Sequence, residues 1–370
     1  MRLIDRYLLR ELLVPLGYCL SGFLIFYVTF DLIFEVNTFQ DAHLRFLDVV
    51  QYYIAKLPEI LADQVIPVSL LLASLYALTN HSRYNELIAM RAAGMSLWRL
   101  AVPYLGVGAF FGIIIFALNE FWVPKAAEVE KNIMERRQNT GYDRNWTGRL
   151  NFHNESERRH WDMAHFNKST SEMISPTVSW ESSDKSTHQI FAQRGIYTNG
   201  EWRFFKVERW DTEPSSDIQI PTSNNVVDIP LSETPASIRT EIKINSLSLT
   251  DAAKGPQLSI REILTYFKWH PHLDRERQIP WLMTQLQGRF AAPFTCLAVV
   301  LIALPFGARS GRHNVFVGVA GSIFICFAYF ILQRVSIGLG VAGYLPPILA
   351  AWTPNVLFGS AGILLMMRAS

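Results

Sequence analysis

Six blocks of this chain are predominantly apolar for 18 residues or more, and that confines the fold more than any other feature. They cover about 14–34, 58–79, 97–123, 281–306, 315–332 and 344–367. A helix rises about 1.5 Å per residue, so roughly 20 such residues cross a hydrocarbon core about 30 Å thick. Backbone groups in lipid must satisfy one another, which leaves helices as the form for runs of this kind. The expected fold class is therefore an α-helical membrane protein with six transmembrane helices, three on each side of a polar insertion. The charged segment MRLIDRYLLREL precedes the first run, and no small-residue cleavage pattern follows it. The first run reads as an anchored span rather than a signal peptide.

The insertion changes period. HQIFAQRGIY and EWRFFKVERWD are rich in β-branched and aromatic residues and meet around Asn199-Gly200, a strong hairpin signal. HWDMAHF, TVSWE and RTEIKI read as further short strands between Ser, Asn and Pro clusters. Together they predict an extracytoplasmic all-β sandwich or partial barrel. KAAEVEKNIMERRQ and SIREILTYFKWH read as helical stalks at its two ends. The organisation expected is transmembrane helices 1–3 over 1–123, the β domain with stalks over 124–280, and transmembrane helices 4–6 over 281–370.

Positive charge sets the orientation. With the N-terminus inside, the inner segments hold nine arginines: Arg2, Arg6, Arg10, Arg83, Arg91, Arg99, Arg309, Arg312 and Arg368. The short outer loops hold three basic residues, Arg45, Lys56 and Arg334. This bias predicts cytoplasmic termini and a translocated β domain. A formal net charge of +2 with no basic, aromatic-interleaved stripe makes nucleic acid an unexpected partner. Cys19, Cys296 and Cys326 all fall in apolar runs and read as small hydrophobes, so the insertion needs no disulfide.

Chemistry is sparse. GxxxxGK[ST], HExxH and GxSxG are absent, so the chain reads as a non-enzyme that hydrolyses no ATP by itself. His153, His160, His165, His270 and His272 read as strand-end or surface residues, and no metal or other cofactor is expected. Ionisable residues at span edges (Asp31, Glu35, Glu59, Asp63, Glu120) fit snorkelling to the interface. Arg289 differs, because it lies about two turns into the fourth run, where a charge needs a carboxylate, a polar cavity or a ligand headgroup. Prolines such as Pro67, Pro293 and Pro354 predict bends.

HSRYNELIAMRAAGMS, at 81–96, joins the second and third runs and reads as a helix over about 83–94. Ser82 offers an N-cap, Glu86 falls in the first turns, and Gly94 fits a stop. Leu87, Met90 and Ala93/Gly94 recur on one face. Two uses fit equally: rest on the inner leaflet, or insertion into a groove of a cytoplasmic partner.

LPEILADQVIPVSLLLASLYALTNHSRYNELIAMRAAGMS resembles the second span and following helix of the lipopolysaccharide export permeases of the LptF/LptG type. RYLLREL, NEFWVPKAAE and YLPPILAAWTPNVLF fit the same family, as does the six-span layout. The resemblance implies a jellyroll-like β domain and a heterodimer with a paralogous permease in the bacterial inner membrane. It also implies a cytoplasmic ATPase dimer and a periplasmic lipopolysaccharide-bridge protein as partners. Carried over by position, Glu86, Leu87, Met90, Arg91 and Gly94 would form the ATPase-coupling helix. FDLIFEVNTFQD is acidic where some members carry lysines facing lipid phosphates. Lipid contacts would then fall to Arg45, Lys56, Lys131, Arg136, Arg137 or Arg289. The N-terminal half resembles the F type and the last two spans the G type. Other readings are a permease of an ABC exporter for lipoprotein or another amphiphile, and a non-transport, membrane-anchored β-domain protein.

Overall fold

The computed structural model describes residues 3–135, 145–181, 186–212, 221–246, 258–273, 279–307 and 315–369. Two compact units emerge. One holds residues 1–138, 249–259 and 275–370, and the other holds 139–248 and 260–274.

Among the described residues of the first unit, six helices are long and apolar enough to cross a membrane. Helix α1 spans Leu3–Asp41. Helix α2 (Phe46–Ile60) continues through a π-helical turn, Leu61–Val65, into α3 (Ile66–Arg83). After the short α4 (Glu86–Ala92), α5 (Leu97–Ala117) passes through a second π turn, Leu118–Trp122, into α6 (Val123–Glu135). Each π turn ends two residues before a proline, Pro67 or Pro124. A proline has no N–H for the carbonyl four residues back. Those carbonyls, of Asp63 and Glu120, lie inside the π turns, where the altered register absorbs the defect. Helix α2 is thus an unbroken extension of the second span.

Three spans complete this unit. A helix over Pro280–Gly307, numbered α9 here because two helices of the other unit precede it, packs against α3, α5, α10 (Val315–Val341) and α11 (Pro347–Ala369). Cys296, Val299, Val300, Ala303 and Leu304 on α9 are all buried. A Cβ built on Gly112 of α5 would lie 2.6 Å from the Pro293 carbonyl oxygen, so only glycine permits this approach. Buried polar groups tie the last three spans together. Tyr329 Oη donates to Asn355 Oδ1 at 2.6 Å, Thr295 Oγ1 lies 2.9 Å away, and Asn355 Nδ2 donates to the Ala291 carbonyl at 2.8 Å.

The second unit is an antiparallel eight-stranded sheet: β1 (Leu150–Asn154), β2 (Arg159–Met163), β3 (His165–Phe166), β4 (Glu172–Ile174), β5 (Thr177–Glu181), β6 (Thr187–Thr198), β7 (Glu201–Thr212) and β8 (Thr222–Ile229). Strands run in the order β1-β2-β5-β6-β4-β3, with β7 between β6 and β8. The β6–β7 hairpin turns at Asn199-Gly200, with φ of 55° and 90°, as the dipeptide predicts. Trp161, Met163, Phe166, Met173, Trp202 and Phe204 fill the core. Glu233 is fully buried there, accepting from Asn154 Nδ2 at 2.6 Å and Arg159 Nη1 at 2.5 Å.

RTEIKI is a helix, not a strand: it lies in α7 (Pro235–Ser246). Thr234 caps that helix by accepting from Ser237 N at 3.3 Å, and Pro235 suits the first turn. Ile238, Glu241 and Ile244 are buried at helical spacing, which overrides the β-branched composition. SIREILTYFKWH forms α8 (Ile260–Trp269), which buries Ile263, Tyr266, Phe267 and Trp269. Trp269 belongs to the core of the β unit, so this stretch is part of that unit and not a stalk.

Candidate functional site

The segment between α3 and α5 concentrates the unusual chemistry. Ser82 does not cap α4, because α3 continues to Arg83. The chain instead turns at Asn85, whose φ of 59° is one asparagine tolerates better than most residues. Helix α4 ends at Ala92, shorter at both ends than the 83–94 expected, and Gly94 just beyond its cap has a φ of 83°. Gly94 N donates to Arg91 O at 2.9 Å and Met95 N to Met90 O at 3.2 Å, the paired bonds of a glycine-terminated helix. Ser96 then caps α5 by accepting from Arg99 N at 3.3 Å.

The faces of α4 differ. Leu87 is 3% exposed and belongs to the buried cluster that also holds Leu8, Leu12, Leu78 and Leu97, with Met90 and Met95 packed against that cluster. Tyr84, Ile88 and Trp98 are exposed apolar side chains on or beside the helix, and Arg91 and Gly94 are also exposed. Glu86 does not point freely outward. Tyr7 Oη lies 3.1 and 3.0 Å from its two carboxylate oxygens, and His81 Nδ1 lies 2.6 Å from Oε2. His81 is buried, and its Nε2 meets no partner among the described residues, so the tautomer with the proton on Nδ1 donating to Glu86 satisfies the ring best. Asp5, on α1, accepts from Arg99 Nη2 at 3.0 Å through both oxygens.

At the other end of α1 lies a second feature. An apolar groove of about 710 Å³ runs between α1 and α2, lined by Ile25, Leu32, Val36, Val50, Ile54 and their neighbours. Beside it, Lys56 Nζ pairs with Asp31 Oδ2 at 2.9 Å and sits 3.3 Å from Tyr52 Oη. Tyr53 donates to Asp31 as well, at 3.1 Å. Arg334 of α10 binds Asp63 in the first π turn at 2.6 Å. Neither pairing is readable as snorkelling from one-dimensional position, because the partners lie 25 and 271 residues apart.

The basic residues lie on different elements. Arg45 is exposed at the start of α2, with its backbone N–H bonded to Asp48 Oδ2 at 3.1 Å. Arg289 is 1% exposed inside the bundle on α9. Lys131 falls on α6, whereas Arg136 and Arg137 lie outside the described residues, as do Arg2, Arg309 and Arg312. The histidines have local roles. His153 and His160 face each other across β1–β2 with ring centroids 6.0 Å apart, and His165 Nδ1 lies 2.9 Å from the Thr147 carbonyl. His270 Nε2 lies 3.4 Å from Glu241.

Six candidate spans, an inserted antiparallel β domain and a short helix between spans two and three define a multi-pass membrane protein. The model for the lipopolysaccharide export system permease LptF/LptG matches residues 6–368. The chain belongs to that family. Among curated proteins, none matches the sequence.

Proposed function

We propose that this chain is the non-catalytic transmembrane subunit of an ATP-driven lipopolysaccharide exporter. In this reading it lies in the bacterial inner membrane with both termini cytoplasmic and the β domain periplasmic. It pairs with a paralogous permease, takes lipopolysaccharide sideways from the bilayer, and passes it to a periplasmic bridge protein. A cytoplasmic ATPase dimer supplies the energy.

The observation that carries this reading is α4. Its Leu87 belongs to the buried core of the bundle, while Ile88, Arg91 and the flanking Tyr84 and Trp98 remain on the outside. A helix packed on one side and apolar on the other suits insertion into a partner's groove. Glu86, Leu87, Met90, Arg91 and Gly94 form this element. The α1–α2 groove supports acyl-chain binding at the other end of the first span. Lys56 already neutralises Asp31, so the lipid's phosphates call for Arg45, Lys131, Arg136, Arg137 or Arg289.

Purification in mild detergent, with identification of co-purifying proteins and bound lipid, tests the reading. An ATPase, a second permease and lipopolysaccharide are expected. Recovery of a lipoprotein in place of lipopolysaccharide favours a different exporter, and a lone chain sinks the transport reading. Glu86→Ala is expected to reduce ATPase retention and lipid export; a variant that keeps both argues against the role of α4.

A further inference from the structure

We infer that Tyr7 and His81 are positioning residues that lock the Glu86 carboxylate to the ends of α1 and α3, so that a push on α4 moves the first span. The inference rests on the proposed function for the source of the push. Its geometry stands apart from that function.

Three hydrogen-bonding contacts converge on one carboxylate: two from Tyr7 Oη at 3.1 and 3.0 Å and one from His81 Nδ1 at 2.6 Å. The Tyr7 and His81 rings also touch, with centroids 5.5 Å apart. A second tie follows α4 in sequence, where Arg99 holds Asp5. The stretch from Glu86 to Arg99 is therefore pinned to α1 at both its ends. Helix α1 otherwise packs chiefly on α3 and is tied to α2 at Asp31. Its buried side chains are Leu8, Leu12 and Leu16 near this end and Phe39 at the far end. The intervening Tyr18, Ile25, Phe26, Ile33 and Phe34 are exposed. A displacement of α4 thus reaches α1 through two polar ties, while the stretch of α1 between Leu16 and Asp31 buries no side chain that would oppose it.

The lock does not close Glu86 to a partner. A carboxylate offers about four acceptor positions, and the Glu86 side chain is 35% exposed, so an outside cation fits without displacing Tyr7 or His81. Tyr7 is the informative handle, because Tyr7→Phe removes the hydroxyl while leaving the ring against His81.

The test uses the complete permease–ATPase complex in lipid nanodiscs loaded with lipopolysaccharide, measuring ATP hydrolysed, lipopolysaccharide released, and ATPase retained. For Tyr7→Phe, retention and hydrolysis are expected to stay at the parental level. Lipopolysaccharide released per ATP is expected to fall about ten-fold, the scale of a hydrogen bond to a charged group. Tyr18→Phe, on the exposed part of α1, serves as the control and is expected to keep the parental ratio. An unchanged ratio in Tyr7→Phe overturns the inference. So does a parallel fall in retention, hydrolysis and release, which marks a role in folding alone. A parent complex that releases no lipopolysaccharide with ATP overturns the functional reading and the inference with it; a parent that works while Tyr7→Phe also works overturns the inference only.

Discussion

Helices α1 and α9 are both long apolar spans, yet they use their surfaces in opposite ways. Of the most apolar stretch of α1, 11% is buried; for α9 the share is 61%. Helix α9 touches four other spans and accepts the backbone of α5 at Gly112. Helix α1 packs chiefly on α3 through a few leucines and leaves most of its aromatic residues outward. Lipid is as apolar as leucine, so burial here reflects packing and not escape from water. The contrast separates a frame from an arm: changes on α9 should affect stability, and changes on α1 should affect it only at the few anchored positions.

The largest effect should come from closing the glycine contact on the frame. Gly112→Val places atoms where the Pro293 carbonyl already stands; because that neighbour is backbone and cannot move aside, the cost should exceed the roughly 1–3 kcal/mol common for overpacking. Loss of the monodisperse peak in detergent chromatography is the expected readout; a parental peak would mean α5 and α9 are not tightly apposed. Next comes the arm's own anchor. Leu12 is fully buried, so Leu12→Ala should cost about 2 kcal/mol or more. Phe30→Ala, on the outward part of the same helix, should stay within about 0.5 kcal/mol. Thermal melts of the two variants check the difference, and equal losses would break the contrast within α1.

A smaller loss is expected within the frame's polar network. Asn355→Leu removes the acceptor of Tyr329 and the donor to Ala291, and interhelical hydrogen bonds in membranes average about 0.6 kcal/mol. A melt of Asn355→Leu beside Gly112→Val should rank the two clearly. The smallest effect belongs to an exposed ion pair of the β unit. The Arg203 guanidinium bonded to Asp228 holds that carboxyl below the usual carboxylate range. A depressed carboxyl stabilises the fold above its unfolded value and loses that contribution as pH falls through the folded one. Asp228→Asn should therefore leave the melt at pH 7 slightly lower and flatten its decline below about pH 4. An unchanged acid limb would show that this pair contributes nothing.

Much of the architecture was legible in order along the chain. Span number follows from apolar length, the hairpin from Asn199-Gly200, and the end of α4 from Gly94, because each depends on a handful of adjacent residues. Strand propensity failed at RTEIKI, where a Thr-Pro start and a buried helical face decided the matter. Ser82 failed as a cap because α3 had no reason to stop before Asn85. The partnership of Tyr7, His81 and Glu86 carried a faint signal at most, since aromatic and histidine residues near span ends are common.

By itself, then, the sequence determined that the protein crosses a membrane six times and carries a β domain between its third and fourth spans. Hydrocarbon thickness and backbone self-satisfaction leave no other use for such runs. Tertiary structure alone decided which face of each span is buried, because helices apolar on all sides carry no stripe to read. It also decided the partners of the charges, Lys56 with Asp31, Arg334 with Asp63 and Glu86 with Tyr7 and His81. Such pairs join positions far apart in the chain, and only packing of the helices brings their few polar atoms within hydrogen-bonding reach.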